Sequence, residues 1–143
     1  MNTINPHDVP PGWQLCFNHN CQRREACLRY VTGCQLPPKR DWGPAIYPTA
    51  LKADGQCRWY RTAQLQRVAW GFAHAFDKVR RYDFKPMRLR ITEILGSKGM
   101  YYEYRNGLRP VMPDQQEAIA GVFAAFGYEA PTYEEYGSCY DYR

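Results

Sequence analysis

Residues 86–126, PMRLRITEILGSKGMYYEYRNGLRPVMPDQQEAIAGVFAAF, restrict the fold more than any other stretch. Met87, Ile91, Ile94 and Leu95 recur at helical spacing, which predicts a helix with one apolar stripe. The GSKG at 96–99 predicts a tight turn, and a short second helix follows it. Asn106 and Gly107 supply its stop, because both residue types tolerate left-handed backbone. Pro113 and Asp114 then open a third helix, with Ile119, Val122, Phe123 and Phe126 on one face.

Upstream, residues 62–82 carry Leu65, Val68, Phe72, Phe76 and Val79 on a second stripe and are predicted to be a further helix. MYYEYRNGLRPVM also reads as a β-hairpin, since Tyr101, Tyr102 and Tyr104 favour a strand before an Asn-Gly turn. Pro110 in the return arm counts against a paired centre. The expected fold is mainly α: a small helical bundle of helix-turn-helix type with an irregular, Cys-rich N-terminal segment and, at 99–112, either helix or one hairpin. The expected divisions are a Cys- and Pro-rich segment at 1–60, a helical body at 61–128, and an acidic, Tyr-rich tail at 129–143.

Five of the six cysteines fall early, at Cys16, Cys21, Cys27, Cys34 and Cys57. Three readings compete: disulfides, buried thiols that behave as small apolar residues, or converging thiolates on a metal. Cys16, Cys21, Cys27 and Cys57 are the expected metal ligands, because the turn at Asp54 and Gly55 can aim Cys57 back at the first three. Cys34 is the spare, and Cys34 or His19 can replace a ligand. Zinc is the expected cofactor, with an iron–sulfur cluster as the alternative. Arg29 is expected to balance the negative charge of such a site.

The net charge is +5, but its distribution is uneven. Residues 58–109 carry twelve Lys or Arg against four acids, whereas residues 110–143 carry one against six. Basic clustering favours a polyanion, and a solvated helical face is the bland alternative. No apolar run approaches the roughly 20 residues of a membrane span, and the start lacks the pattern of a secretory signal. A cytoplasmic protein with no membrane partner is expected. No carboxylate pair, Ser/His/Asp set or phosphate-cradling glycine loop is present, so an enzyme is not expected. His74 has no obvious catalytic partner.

On the features of 86–126, the chain resembles the lambda-repressor-like helix-turn-helix proteins. Ile91, Leu95 and Gly96 match the end of the scaffold helix, and Asn106 and Gly107 match the close of the recognition helix. Ser97, where the family carries an apolar residue, departs from that pattern. The whole chain is also similar to a family of uncharacterised bacterial proteins with an N-terminal cysteine cluster, which assigns no activity. The first resemblance implies a DNA-binding transcriptional regulator. Arg80, Arg81, Lys85, Arg88 and Arg90 would hold phosphates, and Lys98, Tyr102 and Arg105 would face a groove. The alternative is a metal-stabilised adaptor that binds a protein partner through its C-terminal tail.

Overall fold

Gly71 stands at φ +74°, in left-handed backbone that a helix interior does not accept. It interrupts the helix predicted over 62–82, which is a strand followed by turns. The computed structural model describes residues 3–143. In chain order it contains β1 (Leu15–Cys16), α1 (Leu28–Cys34), β2 (Ala45–Ile46), β3 (Gln66–Trp70), α2 (Arg81–Leu95), α3 (Lys98–Arg105), α4 (Pro113–Ala125) and β4 (Glu135–Cys139). Four α-helices and two two-stranded sheets among the described residues make the chain mixed α/β, which corrects the mainly α expectation. The missing information was non-local. Val68 and Phe72 do face a core, but β3 needs a partner that comes more than sixty residues later.

The chain divides into two compact units. One takes the residues up to Leu65 together with Tyr140–Arg143, and the other is Gln66–Cys139.

In the second unit, β3 runs antiparallel to β4, with Gln66 opposite Cys139 and Trp70 opposite Glu135. Gly137 is required here, because a Cβ on it would meet the Trp70 ring at 2.9 Å. On its other side β3 makes a single bridge, Ala69 to Val111. Helix α2 buries Met87, Ile91 and Leu95 at four-residue steps, against a core of Phe72, Tyr101, Tyr104, Val111, Ile119 and Phe123. Burying each of these α2 side chains stabilises the fold by roughly 1.5–3 kcal/mol relative to exposure.

Ser97 caps α3, its side-chain oxygen accepting from the Met100 N–H at 3.2 Å. Tyr101 and Tyr104, three apart, share the buried face, so 98–105 is helix and not a hairpin arm. Gly107, at φ +79°, supplies the left-handed stop. Gln115 fixes the start of α4, accepting from the Met112 N–H at 2.9 Å while its amide donates to the Tyr104 hydroxyl at 3.2 Å.

In the first unit, β1 and β2 pair in parallel. Helix α1 comes close to β1 because of Gly33, where a Cβ would stand 2.8 Å from the Cys16 carbonyl oxygen. Leu28 and Val31 of α1 join Ile4, Val9, Trp13 and Leu15 in a core that Tyr140 and Tyr142 also cover. The Tyr142 ring meets Trp13 edge-on at 5.0 Å. An antiparallel bridge between Cys27 and Thr62 lays the 57–62 stretch beside 24–28. The Leu28 N–H donates to the Arg61 carbonyl, and the Ala63 N–H to that of Ala26.

No described helix is long and apolar enough to cross a membrane.

Candidate functional site: a thiol-lined cavity and a basic helical face

The bridge between Cys27 and Thr62 has a consequence for the cysteines. It returns the chain towards its N-terminal part after the turn at Gly55, and Cys57 lines the same cavity as Cys16, Cys21 and Cys27. That cavity measures about 30 Å³. Cys34 lies outside it, exposed at the end of α1. His19 is also outside, with its Nδ1 2.7 Å from the Tyr30 hydroxyl.

Sharing a cavity is not the same as ligating a metal. Tetrahedral zinc needs each sulfur about 2.3 Å from one point. Among the described residues, no group of three or more His, Cys, Asp or Glu is disposed to hold a metal ion. This overturns the zinc or iron–sulfur expectation, and the four residues are thiols. The Cys16 thiol is pushed up chiefly by burial, opposed by a hydrogen bond from the Asn18 backbone. Cys27, then Cys21 and Cys57, push it up further.

The cavity lining includes Arg23, Arg24 and Arg29 and no Asp or Glu. Arg29 is the unusual member, only 3% exposed. Its Nε donates to the Trp59 carbonyl and its Nη1 to the Gln14 carbonyl, both at 2.7 Å. The guanidinium carbon lies 4.3 Å from the Trp13 ring centroid and 5.5 Å from that of Trp59. Burial lowers its pKa from the usual arginine value, Arg61 adds to that effect, and the thiols of Cys27, Cys57 and Cys16 oppose it. No carboxylate pairs with it among the described residues. A buried cation so placed is solvated by carbonyls and aromatic faces instead of a counter-ion.

Sequence reading does not single out Trp59 or Tyr60, which form part of the wall. Arg58 stacks 4.8 Å from the Trp59 centroid and Arg23 3.6 Å from that of Tyr60. The only signal was the position of Arg58, Trp59 and Tyr60 directly after Cys57.

The second unit carries the residues expected to meet nucleic acid. Arg81, Lys85 and Arg88 fall at i, i+4 and i+7 on α2, which is one stripe. Lys98, Tyr102 and Arg105 repeat that spacing on α3. Helices α2 and α3 bury their apolar faces, Tyr101 included, in one core. The Tyr101 hydroxyl is pushed up by burial, while the guanidiniums of Arg105 and Arg88 both act to lower it. Arg90 does not join them, because it lies on another flank of α2 with its guanidinium 5.1 Å from the Phe126 ring. Arg80 precedes α2 and donates to the Tyr82 hydroxyl at 2.6 Å. Arg109 is neutralised by an ion pair with Glu103. No carboxylate pairs with Arg81, Lys85, Arg88, Lys98 or Arg105 among the described residues. The acidic tail is not one loose segment, since residues 135–139 are the paired strand β4.

No curated protein and no solved structure matches the chain. The family comparison also shows no helix-turn-helix family, which overturns the lambda-repressor-like resemblance. Physically, that resemblance took 62–82 for the first helix of a bundle, and those residues include β3 instead. The family model that does match spans residues 1–142, and the chain belongs to that family of unknown function, DUF6078.

Proposed function

We propose that the chain is a nucleic-acid-binding protein, a DNA-binding regulator of the cytoplasm and not an enzyme, and that α2 and α3 meet the phosphates. The observation that carries this reading is the matching rows at i, i+4 and i+7, Arg81, Lys85 and Arg88 on α2 and Lys98, Tyr102 and Arg105 on α3, with no carboxylate pairing these cations among the described residues. Arg81, Lys85 and Lys98 extend the same stripes, all exposed, and Tyr102 is 38% exposed beside them. Guanidiniums and ammoniums in rows, without carboxylate partners among the described residues, suit a phosphate backbone, where binding releases condensed counterions. An exposed ring among them suits stacking on an unpaired base. Cysteines 16, 21, 27, 34 and 57 stand outside disulfides, which fits a reducing compartment.

Filter binding of duplex and single-stranded DNA across a salt series tests the reading. Five phosphate contacts predict a log–log slope of about −4.5 on duplex and about −3.5 on single strands. Replacing Arg88 and Arg105 with alanine should shallow the duplex slope by about 2. Retained affinity in the double variant would reject α2 and α3 as the contact face. No binding at low salt would reject the function and favour a protein-binding adaptor, for which exposed Tyr82 and Leu89 on α2 offer apolar surface.

A further inference from the structure

Arg29 is a buried cation for which the described residues supply no carboxylate, and it lines the cavity beside the four thiols. We propose that this cavity is a halide site, in which one chloride ion accepts from the Nη2 of Arg29.

The bonding of the guanidinium leaves one nitrogen to be satisfied. Nε donates to the Trp59 carbonyl, and Nη1 donates to the Gln14 carbonyl at 2.7 Å and reaches the Gln14 Oε1 at 3.4 Å. Nη2 has no hydrogen-bond partner among the described residues. Carbonyls and rings thus stand in for a counter-ion on one side of the group only. A donor left unsatisfied on so buried a side chain costs free energy, and an anion taken from solvent offsets that cost.

The same bonding selects the kind of anion. Carboxylates and phosphates engage arginine best through two parallel N–H groups. Nε and Nη1 are already engaged, so neither fork of Arg29 is open, and a spherical ion that needs one donor suits it better. Size agrees, since a space of roughly 10–15 Å³ holds one water. The cavity measures about 30 Å³, room for one monatomic ion. Charge agrees as well, because Arg23 and Arg24 join Arg29 in a lining without Asp or Glu. Arg24 shares its charge with Glu25 at 3.9 Å, whereas Arg23 lies against the Tyr60 ring and pairs with no carboxylate among the described residues. The thiols of Cys16, Cys21, Cys27 and Cys57 complete the wall, free of disulfides and able to act as weak S–H donors.

The test is the ³⁵Cl NMR linewidth of chloride titrated into the reduced full chain, with gluconate holding the ionic strength constant. The expected result is a broadening that saturates, that bromide reverses and that an equal concentration of acetate leaves in place. Arg29→Gln should weaken chloride binding about tenfold or more, because a hydrogen bond from a charged donor is lost. Arg23→Gln, at an exposed position, should weaken it by a smaller factor. The double variant Arg88→Ala and Arg105→Ala should bind chloride as the parent does. If Arg29→Gln does not fold, the order of bromide over acetate in the parent and the response of Arg23→Gln decide. No saturable broadening, displacement by acetate as readily as by bromide, or parental binding in a folded Arg29→Gln would each overturn the proposal. So would loss of the signal in the double variant of α2 and α3. The assay contains no nucleic acid, so its failure is separate from failure of the phosphate-binding reading.

Discussion

The Tyr133 hydroxyl is buried without a hydrogen-bond partner among the described residues. Its ring packs beside Phe72 at 6.3 Å, edge-on. Burial first, and Tyr136 second, push its pKa up to about 12. The unfolded phenol ionises near 10. Between those values the unfolded chain holds fewer protons than the folded one, so stability is full below about pH 10 and falls as pH rises to about 12. Absorbance titration at 295 nm, with denaturation at pH 9 and 11.5, measures this. Tyr133→Phe should remove much of the alkaline loss and leave neutral-pH stability unchanged or raised by up to about 1 kcal/mol, because no bond is broken. A loss of 2 kcal/mol or more at neutral pH would mean that the hydroxyl has a partner after all. Arg29 presents the opposite case, a buried polar group whose carbonyl partners make truncation costly.

Among the elements, α3 shows how a departure from a sequence pattern becomes informative. Ser97 does not fit the helix-turn-helix resemblance, yet its oxygen caps the helix and Gly96 at φ +114° turns the chain into it. Ser97→Ala should cost about 1 kcal/mol in chemical denaturation, and Ser97→Asp should largely restore it. An unchanged midpoint in the alanine variant would show that α3 is held by Tyr101 and Tyr104 alone. The same comparison separates what was legible in the chain from what was not. Helix α4 and the later turns of α2 were readable because their apolar stripes and the stop at Gly96 are local, whereas Arg81 and Tyr82 of α2 read as part of the preceding helix and α3 read equally as helix or hairpin. Strand β3 was not readable, because its Val68-to-Phe72 step is four residues and mimics a helix until β4 is known. Strand β4 has no apolar alternation, and Gly137 matters only once Trp70 lies against it. At the cavity, the turn before Cys57 pointed to its return towards Cys16, Cys21 and Cys27. Nothing local, however, foretold the carbonyl cage around Arg29 or the wall formed by Trp59.

At the scale of the molecule, the first unit is built from two separate lengths of chain. Tyr140 and Tyr142 pack on the cluster around Trp13, and the Arg143 carbonyl accepts from Arg61 Nε at 3.3 Å. Removing residues 140–143 should therefore loosen the first unit and spare the second. Hydrogen exchange should show faster exchange in α1 and β1 and unchanged protection in α2 and α4. Equal losses in both units would show that they unfold together. Asp141, held below the usual carboxylate range mainly by its hydrogen bond with Arg143, belongs to the same closure.

This two-part construction also sets an order of events during synthesis. Residues 140–143 leave the ribosome only after all of Gln66–Cys139 has been made. The cluster around Trp13 thus waits, with one side uncovered, and because β4 directly precedes Tyr140 the second unit completes its β3–β4 sheet at the same stage. During that interval the early cysteines belong to an unfinished body, and a nascent chain paused before Tyr140 exposes apolar surface that the finished protein hides.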